Sequence, residues 1–186
     1  IGSASMRLFV ALTPPRAALD EIATAIDRVR PLAPDLRWTS AAQWHLTLAF
    51  LGEVDSDRVP ELSARLQRAA RRHQPMSLAF GAAGKFDGRV LWLGVRGDRT
   101  ALAALAGSTA AAARRTGIAV EDRRYRPHLT LARSSTPVNL TVLVAEEPIY
   151  AYFDVDERTF LRQLLRNGRL DSTLSERVGV QIGLAD

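Results

Sequence analysis

The tetrapeptide His-Leu-Thr-Leu occurs twice in this chain, at 45–48 and at 128–131, and takes up two of its three histidines. A repeated string this short constrains the fold only if its surroundings repeat as well, and they do. The copies stand 83 residues apart, and the same offset lays Arg7-Leu8-Phe9-Val10-Ala11-Leu12 on Val90-Leu91-Trp92-Leu93-Gly94-Val95. Both are short apolar runs with an aromatic residue at the same place, the pattern of buried strands. Directly after them, 14–30 falls on 97–113, two alanine-rich stretches with apolar residues at helical spacing: Leu19, Ile22 and Ile26 against Leu102, Leu105 and Thr109. Thr13 before Pro14 and Asp98 are the expected helix caps. Each half therefore predicts a strand, a helix and a His-Leu-Thr-Leu strand.

The pattern extends beyond the motifs. Asp55 or Ser56 is expected to cap a helix running to about Arg72, followed by a strand over 76–80. After the second motif, 139–146 reads as a helix or, given β-branched Val138, Thr141, Val142 and Val144, as a strand. Strands are expected over 149–155, 159–165 and 178–184, the last two joined by a turn at Asn167-Gly168. The predicted architecture is α+β and bilobal: a duplicated fold of two small, mainly antiparallel sheets lining a central cleft, with helices outside. No Pro-, Gly- or Ser-rich linker separates the halves, so residues 6–186 are expected to form one domain. Residues 1–5 read as a cloning remnant ahead of a natural start at Met6.

Composition narrows the partners. A chain of 186 residues that is 47% hydrophobic has enough apolar side chain for a real core. Its formal charge of +5 and pI near 10.6 favour anionic partners such as RNA, although an arginine excess also arises from genomic bias. Cysteine is absent, which excludes a disulfide framework, thiolate zinc and a cysteine nucleophile. With neither an apolar run of membrane length nor a signal peptide in the sequence, a cytoplasmic monomer is the simplest expectation.

Alternation along a strand puts His45 and Thr47 on one face and Leu46 and Leu48 on the other, and likewise sets His128 and Thr130 against Leu129 and Leu131. A pseudo-two-fold relation between the halves brings the four polar groups to a shared cleft. Two imidazoles facing one phosphate form an acid–base pair, since the ordinary imidazole pKa allows one to give a proton and the other to take one near neutrality. Threonine hydroxyls can donate to non-bridging phosphate oxygens. In-line hydrolysis of a phosphodiester without metal or cofactor is the chemistry this set suits. Phe50 shares the face of Leu46 and Leu48, which assigns it to the core, and Trp44 and Phe86 are further aromatics near the cleft. Arg123, Arg124 and Arg126 form a basic cluster that fits an RNA backbone or a solvated loop. His73, near a helix end, reads as a surface residue interacting with the helix dipole.

Other chemistries find little support. The 81–86 stretch, Gly81-Ala82-Ala83-Gly84-Lys85-Phe86, has the wrong glycine spacing for a phosphate-binding loop, and Phe86 stands where Ser or Thr would hold a metal. There is no Gly-x-Ser-x-Gly elbow, and two histidines in separate strands make a poor zinc site. The sequon Asn139-Leu140-Thr141 lacks a secretion signal to make it meaningful.

The stretches Met6 to Leu12, His45-Leu46-Thr47-Leu48-Ala49-Phe50-Leu51-Gly52 and Arg126-Pro127-His128-Leu129-Thr130-Leu131-Ala132-Arg133 resemble the 2H phosphoesterase superfamily, from Met6 to about Phe160. Within it they are most similar to the branch of bacterial RNA 2′,3′-cyclic phosphodiesterases, the 2′-5′ RNA ligase family. The resemblance implies opening of a terminal 2′,3′-cyclic phosphate of RNA to a 2′-phosphomonoester, with His45 as acid at the leaving 3′ oxygen and His128 as base on water. It further implies Thr47 and Thr130 on phosphate oxygens, Arg133 as an additional phosphate contact, and no metal or cofactor. Phe86 is a candidate for stacking on the terminal base. Other readings are a non-catalytic module that binds RNA termini, and a phosphodiesterase or ligase acting on small cyclic nucleotides or 2′-5′ linkages. Gln163 stands where the family commonly has serine, and its Gly-x-x-Tyr feature is missing, which bears on substrate details more than on chemistry.

Overall fold

The structure, a computed structural model, describes residues 4–140, 152–155 and 181–184. Its strands are β1 (Ser5–Leu12), β2 (Arg37–Trp38), β3 (Leu46–Asp55), β4 (Met76–Phe86), β5 (Val90–Gly97), β6 (His128–Arg133), β7 (Tyr152–Val155) and β8 (Gln181–Leu184). The helices are α1 (Arg16–Val29), α2 (Val59–Ala70) and α3 (Arg99–Arg114). The strands form two sheets, ordered β3-β1-β8 and β2-β6-β5-β4-β7, in which every pairing is antiparallel. This is the α+β arrangement the duplicated pattern predicts. Expected elements over 159–165, the Asn167-Gly168 turn, most of 139–146 and the Gln163 position lie outside the described residues.

The halves do not build their sheets separately. The short β2 of the first half joins β6 in the five-stranded sheet, β4 enters the same sheet beside β5, and β8 from the C-terminal end borders β1. A turn at Asp87-Gly88, with φ of 49° and 65° and the Arg89 N–H donating to the Phe86 carbonyl at 2.9 Å, explains the placement of β4. Two consecutive positive φ values make the tight hairpin turn whose twist matches antiparallel strands, so β4 must pair with β5. β4 also runs to Phe86, well past the expected end at Phe80, because the glycine-rich 81–86 stretch is strand and not loop.

Apolar spacing works as expected in the helices: α1 buries Ala18, Leu19, Ile22 and Ile26, and α3 buries Leu102, Leu105 and Thr109. Thr109 is tolerated there because its hydroxyl donates to the Leu105 carbonyl at 2.9 Å, one turn back. Asp98 stands at the N-cap of α3 as expected, and Asp55 at the N-cap of the 3-10 turn (Ser56–Arg58) that leads into α2, but neither makes a side-chain capping bond, and α1 is capped by Pro15 and not by Thr13. The Asp98 carboxylate accepts instead from the Ser77 N–H at 2.9 Å, tying the helix start to β4. Helix α2 ends at Ala70, and the His73 ring beyond it meets the Ser108 hydroxyl of α3 at 2.8 Å, so this histidine joins two helices and is not a simple surface residue. Among the described residues no helix is long and apolar enough to cross a membrane.

Candidate active site

The two motifs meet across the sheets, with Cα atoms of β3 and β6 within 8 Å of one another. Leu46, Leu48, Leu129 and Leu131 are buried, whereas His45, Thr47, His128 and Thr130 are only partly so. His45 immediately precedes β3, and His128 is the first residue of β6. Both rings are fixed the same way. His128 Nδ1 lies 2.7 Å from the Arg126 carbonyl, and His45 bonds the backbone of Gln43, in each case two residues upstream. A carbonyl can only accept, so Nδ1 of His128 carries hydrogen and Nε2 is left as its titrating nitrogen.

Local sequence dictates both anchors. Ser40-Ala41-Ala42-Gln43 forms a capping box around a single 3-10 turn, which presents Gln43 to His45. On the other side Pro127 confines Arg126 to extended backbone, which aims its carbonyl at His128. Thr39 then connects the two motifs. Its N–H and hydroxyl both donate to the Leu131 carbonyl, at 2.9 and 2.8 Å, and its Oγ1 accepts from the indole N–H of Trp44 at 2.8 Å. Trp44 is 2% exposed, a core residue with no face open for a ligand.

The imidazoles share an electrostatic environment. Burial is the main influence lowering both pKa values, the backbone bond opposes it, and the Arg133 charge lowers each further. His45 also feels His128, and His128 feels Arg123. Arg133, at the end of β6, is thus near enough to act on both rings. Among the described residues no cluster of three or more His, Cys, Asp or Glu is arranged to hold a metal ion.

Aromatic rings flank each histidine. Phe9 of β1 stacks on His45 with centroids 4.7 Å apart, and Phe86 meets His128 edge-on at 5.0 Å. Trp92, which the 83-residue offset pairs with Phe9, lies 5.0 Å from Phe86 and 6.2 Å from His128. Its indole covers Gly84 so closely that a Cβ there would clash with the ring. Beside His128 opens a cleft of about 380 Å³, bordered by Phe86, Trp92, Tyr125, Arg99, Arg124 and Arg126. Arg123 of the expected basic cluster pairs instead with Glu121 at 3.2 Å.

Phe50 overturns the expectation that it belongs to the core: it is 52% exposed. The β1–β3 register slips twice, leaving Leu48 and Leu51 as extra residues on β3, and the first slip reverses the alternation. Phe50 therefore sits opposite Phe9, on the face that carries Thr47, with the two rings 6.2 Å apart. Thr39, Trp92 and Phe9 were missed as site residues. The offset alignment of Phe9 with Trp92 was the available signal, whereas nothing in the sequence marked Thr39.

Known proteins resemble this chain in sequence and in fold. The profile described as the 2′-5′ RNA ligase superfamily matches residues 18–166. The RNA 2′,3′-cyclic phosphodiesterase of Escherichia coli (strain K12) is 33% identical over 160 residues, which is 80% of this chain and 88% of that protein. The Bacillus subtilis (strain 168) protein of the same name is 34% identical over 110 residues, 57% of this chain and 60% of that protein. The crystal structure of E. coli LigT in apo form superposes with a TM-score of 0.68 at 31% identity, covering 82% of this chain and 84% of that one. The crystal structure of a Thermus thermophilus protein, TT0787, gives 0.67 at 26% identity, covering 81% and 85%.

Proposed function

This chain belongs to the 2′-5′ RNA ligase superfamily, and from that premise we propose that it hydrolyses terminal 2′,3′-cyclic phosphates of RNA to 2′-phosphomonoesters. The observation that carries the reading is the matched pair of imidazoles, each tied to backbone two residues upstream and both under the charge of Arg133.

In this mechanism His128 Nε2 takes a proton from water as the oxygen attacks phosphorus. The bond from phosphorus to the 3′ oxygen breaks in line, and His45 gives that oxygen its proton. One P–O bond forms, one breaks, and the protein ends with the proton on the other histidine, so exchange with solvent resets it. Thr47 and Thr130 donate to the non-bridging oxygens, and Arg133 offsets the charge that develops on them. Phe86, edge-on to His128, walls the side from which water enters. Both imidazoles come from one chain, which supports a monomer as the working unit.

The decisive experiment is product analysis after incubation, in chelator, with an oligoribonucleotide bearing a 2′,3′-cyclic end. A 2′-phosphate product formed at an undiminished rate is the expected result. A 3′-phosphate product, or activity that needs added metal, overturns the proposal.

A further inference from the structure

The two histidines are held alike by the backbone but not by their aromatic neighbours. Phe9 lies nearly parallel to His45, with 25° between the planes and centroids 4.7 Å apart. Trp92, its counterpart at the 83-residue offset, is tilted 59° from His128 at 6.2 Å, with its indole laid over Gly84. Phe86, also beside His128, stands at 88° to it. Among the described residues, then, only His45 has a ring stacked on its face. The face of a phenyl ring is the negative end of its quadrupole, so it attracts an imidazolium more than an imidazole. Phe9 and His45 are both half-buried, so water screens that attraction only in part. Other influences on the two rings match. Burial lowers both, a carbonyl two residues upstream raises both, and the charges on each are positive: Arg133 and His128 on His45, Arg133 and Arg123 on His128.

We propose that Phe9 fixes the direction of proton transfer: its ring face holds the proton on His45, which makes that histidine the acid and leaves His128 neutral as the base. The inference rests on the hydrolase reading, in which one ring must give a proton while the other takes one. Duplication alone supplies two equivalent imidazoles, and a single proton then sits on either of them. Molecules with the proton on His128 cannot activate water and are idle. A ring stacked under one imidazole removes that degeneracy. A difference of one pKa unit would favour the productive form by about ten to one. Phe9 acts through His45, as a positioning residue for the proton.

The test titrates the three histidine rings by NMR in substrate-free protein, where His73, joined to Ser108 of α3, reports an intact fold. In wild-type protein His45 is expected to titrate above His128. Phe9→Leu should lower the His45 value by about half a unit to one unit, the scale of one cation–π contact, and Phe9→Trp should restore it. Pentafluorophenylalanine at position 9 keeps the shape of the ring but reverses the sign of its face. It should lower His45 as Phe9→Leu does, with His73 unmoved. In kcat/KM against pH on an RNA 2′,3′-cyclic end, the same two replacements should draw in the alkaline limb, which reports the acid, and leave the acidic limb in place. A His45 titration that is the same in wild-type, Phe9→Leu and fluorinated protein, or that lies below His128 in wild type, overturns the proposal. If Phe9→Leu moves His45 yet wild-type protein opens no cyclic end, the hydrolase reading falls and the stack stands.

Discussion

Burial lowers the pKa of both imidazoles in this cleft and outweighs the backbone bond that each ring makes. Both pKa values lie below the ordinary 6.5, and the acid–base pair works when one ring is protonated and the other is not. The bell of kcat/KM against pH should therefore be centred below 6.5. Arg133 lowers both values, so Arg133→Gln removes a positive charge, raises both and moves the whole bell toward higher pH while its height falls. A bell that only shrinks in place would show that Arg133 does not reach the rings. Gly84 permits a second check at this scale. Gly84→Ala forces the Trp92 indole off its seat and disturbs Phe86 and His128 behind it, at a cost of about 1–3 kcal/mol in denaturant unfolding together with lower kcat. The histidines and threonines were legible in the sequence because facing over three residues needs only extended backbone. Phe50 was not, since a bulge depends on the register with the neighbouring strand and leaves no mark in the strand that carries it.

At the scale of elements, the distance between the two motifs is held by the segment from β2 to Trp44. Thr39 receives the indole N–H of Trp44 and donates to the backbone of β6, so its hydroxyl spans the gap between the residue before His45 and the strand of His128. Thr39→Val keeps the shape, loses the hydroxyl and leaves a buried indole N–H without its acceptor. Stability should fall by about 1–3 kcal/mol. If the tie also positions the imidazoles, kcat should fall about 10- to 100-fold with KM little changed, because small misplacements of catalytic groups act on rate. Thr39→Ser should recover most of it. A drop in melting temperature with kcat unchanged would make the tie purely structural. Strand and helix positions were readable here from apolar period alone, and so were the cap positions Asp98 and Asp55, whereas what their side chains bond was not. Thr13, Asp55 and Asp98 are chemically apt, yet helix starts are also set by how the preceding strand is tethered, as Asp98 on the Ser77 N–H shows.

In the proposed reaction each half of the molecule supplies one proton-transfer group. Duplication was visible as a constant 83-residue offset, which fixed the strand–helix–strand units and their four polar groups. The exchange of β2 and β4 into the second sheet was not, because periodicity says that a segment is a strand and not which strand it borders; only the Asp87-Gly88 turn carried that information. The exchange has a mechanical consequence. With β2 bonded to β6, the segment leading to His45 is part of the sheet that carries His128, so the lobes cannot drift apart without breaking strand pairing. Two proton-transfer groups locked in this way should behave as one unit. His45→Ala and His128→Ala are each expected to lower kcat by about 10²–10⁴-fold, the range for a lost general acid or base. Once either is gone, the other has no partner for the concerted step, so the double variant should be little worse than the poorer single one. Multiplicative losses, measured on the same cyclic-phosphate substrate at a fixed pH, would instead mean that the histidines act in independent steps and that the duplicated lobes share a substrate without sharing a transition state.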